Sequence, residues 1–336
     1  MIDDISKVKD WFEKRERETL SKYAVLSQNT KGRLKAIQPC PLRLEFNRDR
    51  DRIIHCKSFR RLKHKTQVFF APVGDHYRTR LTHTLEVTQI ARSISRGLLL
   101  NEDLTEAIAL GHDLGHTPFG HAGETQLNEL VPTGFEHNKQ SLRMVDKLEN
   151  RGLGLNLTYE VRDGILNHRS EDKRLTLEAS VVSLSDKFAY VNHDIDDAVR
   201  AGILKESDIP KSCLEVLGKT HGERINTLII DVIKTSFNEP MIGMSDIISR
   251  EFGILRNFMF EYVYLNKQAR REEGKAKHIV AALYKYYKVN NHLMPLEFTQ
   301  FIDEDGIDIV TADYIACMTD RYAINDFMKL FIPHDV

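Results

Sequence analysis

Cysteine is scarce and shows no paired spacing: Cys40, Cys56, Cys213 and Cys317 stand alone in 336 residues, with no C-x-x-C among them. Such spacing excludes a zinc ribbon and argues against a disulfide framework, and it suits reduced thiols in the cytosol. An excess of either charge is also missing, because 48 Lys and Arg face 49 Asp and Glu for a formal net charge of −1. That balance gives no global attraction to nucleic acid or to a membrane, so any affinity for phosphate must be local. The opening stretch MIDDISKVKDWFEKRERE is charged throughout and lacks the apolar run of a signal peptide or a membrane span. Alternating apolar and polar residues are almost absent, as are Pro/Gly-rich linkers, internal repeats and a G-x-x-x-x-G-K-S/T phosphate loop. The expectation is a cytoplasmic, mainly α-helical globular protein, long enough to bury a sizeable core.

What is present is helical periodicity. Apolar residues at Leu81, Leu85, Ile90, Ile94 and Leu98 mark one amphipathic helix, which carries His83. Residues Asn101 to Asp103 cap a second, LTEAIALGHDLGH, which should stop near Pro118 and place His112 and Asp113 toward its C-terminal end. A third, roughly 176 to 200, repeats Asp186, Tyr190 and Asp194 every fourth residue, which puts all three on one face.

His83, His112, Asp113 and Asp186 are all competent metal ligands, and two of them are adjacent in the chain. Singly, each reads as easily as a satisfied polar residue on a helix. Together, two imidazoles and two carboxylates suit one divalent ion from Mn, Fe, Co, Ni, Zn or Mg, with positions left for water and substrate. Past Pro118 the run LGHTPFGHAGE sets His116 beside the break and His121 three residues before Glu124. If a helix restarts near Gly120, His121 and Glu124 face the same way, a pairing that suits a general acid. Upstream, Arg48, Arg50, Arg52, Arg60, Arg61, Lys63 and Lys65 crowd before Gln67. A charge run is most often a solvated helix face, but near a metal such residues would neutralise a polyphosphate.

Several segments agree in order with a known group: RDRDRI, RRLKHKTQVF, RTRLTHTLEV, GHDLGHTPFGHAGE, FEHNKQSLR, GILNHR and SDKFAYVNHDIDDA, spanning roughly Arg48 to Val199. In these the chain resembles the HD-domain deoxynucleoside triphosphate triphosphohydrolases, the dGTPase-like proteins. The resemblance implies an all-α HD-domain fold with residues 1–204 as catalytic core plus an N-terminal helical arm; beyond residue 205 it is weak, and the helical pattern there reads as a C-terminal extension over 205–336, either core or a surface for oligomer contacts. The resemblance implies one divalent metal, Mn or Mg favoured, on His83, His112, Asp113 and Asp186, with His121 and Glu124 handling proton transfer. The implied reaction releases a deoxynucleoside and intact triphosphate. By the same matching, Gln67, Tyr190 and Asp194 surround the deoxyribose, while Arg52, Arg80, His116, His137, Asn138 and Lys187 lie near the phosphates or the base. Two positions depart from the bacterial pattern, Lys187 after Asp186 in place of a second Asp and Asn167 in place of a Lys, so base preference does not follow from the match. The resemblance implies a homo-oligomer without a membrane and leaves open whether a nucleotide or single-stranded DNA acts as effector. Two other readings stay open: an HD phosphohydrolase acting on nucleoside monophosphates or cyclic dinucleotides, and a non-catalytic nucleotide or single-stranded DNA sensor.

Overall fold

The structure is a computed structural model that describes residues 7–67, 78–169, 174–264 and 267–333. Val68 to Phe70 of the QVFF stretch and the first six residues lie outside that range. Among the described residues every extended regular element is helical, as expected, and β-type pairing is confined to two isolated bridges, Arg33 with Thr158 and Thr66 with Thr79. No described helix is long and apolar enough to cross a membrane.

The chain forms two compact units, each assembled from three separate stretches. The first takes Met1–Ile54, His83–His112 and Asn156–Leu265. Its central helix, Leu177–Arg200, packs on Glu102–Gly111, Tyr159–Leu166, His221–Ser236 and Asp246–Met259. That helix begins where its cap dictates, with Thr176 Oγ1 accepting from the Ala179 amide at 3.1 Å, a type of contact that contributes about 1 kcal/mol. Its apolar stripe, Val181, Val182, Phe188, Ala189, Val191 and Ile195, is buried. Each of the larger of these side chains contributes about 1.5–3 kcal/mol. Two glycines let the helices Glu102–Gly111 and Tyr159–Leu166 close on each other. A Cβ on Gly111 would lie 2.5 Å from Ile165 Cδ1, and one on Gly164 would lie 2.5 Å from Ile108 Cδ1. In the apolar FGILRNFMFEYVYL segment Phe252, Leu255, Phe258, Met259 and Val263 are buried, whereas Ile254, Phe260 and Tyr262 are exposed. One face of it is therefore core.

The second unit takes His55–Thr82, Asp113–Leu155 and Asn266–Val336. Here the helix Lys267–Val289 packs on Gly120–Leu130, Ile307–Ala316 and Asp320–Phe331. Phe119, Leu127, Met144, Val280, Leu283, Tyr287, Phe298, Val310 and Ile315 share one core. The end of the chain is thus structural partner to residues 113–155. Buried Asp313 accepts from Gln140 Nε2 at 2.8 Å and from Arg143 Nη2 at 2.6 Å, and Arg143 also reaches Asp305 at 2.6 Å.

A buried carboxyl ties the N-terminal arm to the first unit. Glu178 Oε1 accepts from the Val25 amide at 3.0 Å and the Asn101 amide at 3.1 Å. Asn101 in turn caps Glu102–Gly111 through Asp103 and Leu104 and donates to Glu16 at 3.0 Å. Burial raises the Glu178 carboxyl above its ordinary value, against the amides that pull the other way. The folded state therefore favours the protonated form, and the ionised form costs stability above the unfolded pKa, increasingly until the folded value is passed. Relative to wild type, Glu178→Gln is expected to gain stability progressively as the pH rises from 4 to 8. Urea unfolding at both pH values checks this, and a difference that stays flat with pH would contradict it.

Candidate functional site

In the first unit, three donors converge. The helix Arg80–Gly97 presents His83 after its first turn, and Leu177–Arg200 carries Asp186. His83 Nε2 lies 3.0 Å from Asp186 Oδ1. The helix Glu102–Gly111 stops earlier than Pro118 requires, with His112 as its C-cap. There the His112 Nδ1–H donates to the Ala109 carbonyl at 2.7 Å, which orients the ring and leaves Nε2 as its other polar atom. That Nε2 is 3.8 Å from Asp186 Oδ1, and the rings of His83 and His112 are 5.8 Å apart. Two imidazole nitrogens facing one carboxylate oxygen match the donor set of a divalent metal site.

Around these donors stand residues that sequence reasoning passed over. His168, inside the GILNHR segment, sets its ring edge 5.2 Å from His112 and fixes its own tautomer on the Ile165 carbonyl at 2.8 Å. His193 lies edge-on to His83 at 6.0 Å, with Nδ1 3.1 Å from Glu86. On the Leu177–Arg200 helix, Tyr190 is pushed up to about 12 by burial, and Asp194 is buried. Lys187 is lowered by burial and then by the charges of Arg174 and Arg256. Arg256 was not anticipated, since it lies outside every motif segment. Arg52 donates to the Asn156 carbonyl at 2.8 Å, in the neighbourhood of Arg33, Asp49 and Glu45.

In the second unit a different set assembles. Asp113 Oδ2 takes Arg80 Nη1 at 2.8 Å, a fully buried pair, and Arg80 also reaches the Gln67 carbonyl at 3.4 Å. Gln67 is itself buried, and its Oε1 has no hydrogen-bond partner among the described residues. His116 Nε2 lies 3.4 Å from Asp113 Oδ1, and its ring stacks on His137 at 3.9 Å. Asp113, His116 and His137 each bring one donor atom within 4.8 Å of the others. Burial, then the charges of Arg80 and His137, holds the His116 imidazole well below its ordinary range, so it stands neutral. Buried Asn138 follows His137 at the start of the helix His137–Arg143.

The anticipated restart is at Gly120, after Phe119 in the left-handed region at φ +63°. His121 Nδ1 lies 3.4 Å from Glu124 Oε2, as the three-residue spacing predicts, and His121 is exposed. Glu124 has a second partner that the spacing did not reveal. Its Oε1 accepts from the His137 amide at 2.9 Å and from His137 Nδ1 at 2.8 Å. Burial opposes ionisation of Glu124, but the bonds from His121 and His137 outweigh it and hold the carboxyl far below the usual carboxylate range. It is a fixed anion between two imidazoles.

Gly115 makes the His116–His137 stack possible. A Cβ there would lie 2.2 Å from the Ser141 amide nitrogen and 2.6 Å from the His137 carbonyl oxygen, both backbone. Gly115→Ala is expected to cost about 3 kcal/mol by overpacking. Gly222→Ala, on a helix with open space around it, should be neutral or gain up to about 1 kcal/mol. Thermal melts of both variants test the contrast.

The family model described as "HD domain" matches residues 80–191, and that described as "Phosphohydrolase-associated domain" matches residues 242–329. A "Deoxyguanosinetriphosphate triphosphohydrolase-like protein" of Caldanaerobacter subterraneus subsp. tengcongensis is 55% identical over 327 residues, covering 97% of this chain and 96% of that protein. A protein of the same description from Clostridium perfringens is 50% identical over 336 residues, covering 97% and 98%. Among solved structures, a phosphohydrolase from Bacteroides thetaiotaomicron aligns with a TM-score of 0.53 at 16% identity, covering 84% of this chain and 69% of that one. A hypothetical protein from Aquifex aeolicus aligns at 0.52 and 20% identity, covering 84% and 68%. These two likenesses speak to the fold alone.

Proposed function

The chain belongs to the HD-domain phosphohydrolases, among the deoxyguanosinetriphosphate triphosphohydrolase-like proteins, and from that premise we propose that it hydrolyses deoxynucleoside triphosphates to a deoxynucleoside and inorganic triphosphate. The observation that carries this reading is Glu124 held between His121 and His137. Binding a metal and a nucleotide needs no such group; protonating a leaving oxygen does.

In this reading His83, His112, Asp113 and Asp186 hold one divalent ion, with Mn or Mg favoured. When bound, the ion lowers the pKa of a coordinated water and draws charge from a phosphoryl oxygen. The protein's own residues do the rest. Water attacks the α-phosphorus, the bond from phosphorus to the 5′ oxygen breaks, and His121 delivers a proton to that oxygen. Glu124 accepts from His121 Nδ1 and so turns the other ring nitrogen toward the substrate; the 3.4 Å separation without substrate tightens on binding. Arg80 orients Asp113 by a charge-assisted bond at 2.8 Å.

The remaining assignments follow. Gln67, Tyr190 and Asp194 surround the deoxyribose, with Asp194 accepting from the 3′ hydroxyl and Tyr190 leaving no room for a 2′ hydroxyl. Lys187, His116, His137, Asn138 and Arg52 serve the phosphates or the base. The charges of Arg174 and Arg256 beside Lys187 support an anionic ligand there. The exposed apolar residues Ile254, Phe260 and Tyr262 support a homo-oligomer, and cytoplasmic placement completes the reading.

Product analysis is the test: purified protein with each of the four dNTPs and with GTP, in Mn and in Mg, with Asp113→Ala as control. Deoxynucleoside plus triphosphate from dNTPs, none from GTP and none from the control, is the expected result. Release of inorganic phosphate from a monophosphate, or of linear product from a cyclic dinucleotide, would replace the reading with the other hydrolytic one. Nucleotide binding without turnover would replace it with the sensor. His121→Ala and Glu124→Gln are expected to lower kcat about 10²–10⁴-fold while nucleotide binding persists.

A further inference from the structure

The segment carrying His116 and His121 is held at both ends by the C-terminal stretch of the same unit. Asp320, the first residue of the helix Asp320–Phe331, engages two separate pieces of chain with one carboxylate. Its Oδ1 accepts from the Phe119 amide at 2.9 Å. Its Oδ2 accepts from the Thr66 amide at 2.9 Å and, in a second and shorter bond, from the Thr66 hydroxyl. Four residues earlier, the Ala316 carbonyl accepts from Lys65 Nζ at 2.7 Å, and the same ammonium donates to the His116 carbonyl. Lys65 is 2% exposed, so these carbonyls, not water, meet its hydrogen-bonding needs.

The geometry matters because of what lies between the two grips. His116 and Phe119 bracket the turn H-T-P-F, and Phe119 is held at φ +63°, a region that a bulky side chain occupies only when its surroundings impose it. The Phe119 amide is the N–H that Asp320 takes, so the carboxylate sits where the strain is. His121 follows two residues on, in the first turn of the helix Gly120–Leu130. On the other side, Thr66 neighbours Gln67, and Lys65 accepts through its carbonyl from the Arg80 amide at 3.0 Å. A displacement of Asp320 would therefore reach Gln67, His116 and His121 together.

We propose that Asp320, acting with Lys65, is a positioning residue: it locks the 116–120 turn so that His121 is presented in the geometry that proton transfer requires, making the C-terminal helices part of the catalytic machinery's support. This rests on the reading of His121 as proton donor. A carboxylate is needed because it has acceptor positions for three donors on two segments. An amide in its place would turn its NH₂ toward one of those donors, and alanine would leave all three without it.

The test has two independent readouts on the full chain. Hydrogen exchange resolved by peptide is measured for wild type, Asp320→Ala, Asp320→Asn and a control, Tyr284→Phe. The control removes the 2.6 Å bond from the Tyr284 hydroxyl to Asp308 in the same extension without touching the turn. The expected result for Asp320→Ala is faster exchange confined to residues 113–122 and 65–67, at a temperature where the melting curve shows it folded. Steady-state kinetics on the dNTP turned over by wild type should show kcat reduced 10-fold or more with KM changed less than 3-fold, Asp320→Asn intermediate and Tyr284→Phe unchanged. Faster exchange spread over the whole unit would overturn positioning in favour of a general structural role. Faster exchange in the turn with kcat unchanged would also overturn it, and so would no change in either readout. If wild type turns over no dNTP, the functional reading fails by itself, and exchange still decides whether Asp320 locks the turn.

Discussion

An ionised side chain removed from water must meet a counter-charge or several hydrogen bonds, and this fold buries several such groups in its second unit. Arg80, Asp113, Glu124, Arg143 and Asp313 all belong to the second unit, and each has a partner distant in sequence. The Arg80–Asp113 pair closes across 33 positions of sequence, Lys65 to Ala316 across 251, and Thr66 to Asp320 across 254. Breaking one side of the buried Arg80–Asp113 ion pair costs about 3–5 kcal/mol. These links thus fix the arrangement of the turn more firmly than apolar packing alone, which tolerates repacking.

Neutral states matter as much as charged ones. Lys65 is pushed down to about 7, chiefly by burial, and His116 is held neutral by burial and by the nearby Arg80 and His137 charges. Glu124 goes the other way because two imidazoles donate to it. Adjacent groups in one unit are thereby driven to opposite protonation states. Such divergence separates an orienting anion from a neutral imidazole that keeps one N–H donor and one acceptor nitrogen.

What the sequence made legible was local. Asn101 and Thr176 announce helix starts, and the caps are where they should be. The spacing of His121 and Glu124 foretold their contact, and the four-residue repeat of Asp186, Tyr190 and Asp194 foretold one helix carrying all three. The resemblance of short segments named the family. What stayed hidden depends on distant partners. Nothing local in FEHNKQSLR shows that His137 answers Glu124 thirteen residues earlier, since that contact requires the intervening chain to reverse. His168 and His193 sat in quoted segments but carry no spacing signal, because His168, just past the end of the helix Tyr159–Leu166, and His193, on Leu177–Arg200, each meet an imidazole from a distant stretch of chain. Asp320 lies far beyond the matched segments, and its role appears only once the chain folds back on Thr66 and Phe119. Likewise, no composition change marks the interleaving of three stretches into each unit.

The donor set in the first unit carries one more step of reasoning. In its neutral form His112, with Nδ1–H committed to the Ala109 carbonyl, presents Nε2 as a lone pair, which faces Asp186 Oδ1 at 3.8 Å. Two acceptors at that separation repel unless a positive charge lies near both. His83 Nε2, 3.0 Å from the same oxygen, can donate to it only when it carries a proton, and as a bare nitrogen it is a third acceptor. A divalent cation relieves all three atoms at once, since each is an acceptor of the kind that such ions take. The tautomer fixed by one backbone carbonyl thus argues for a metal ion over a hydrogen-bonded imidazole pair, and it does so without reference to any relative.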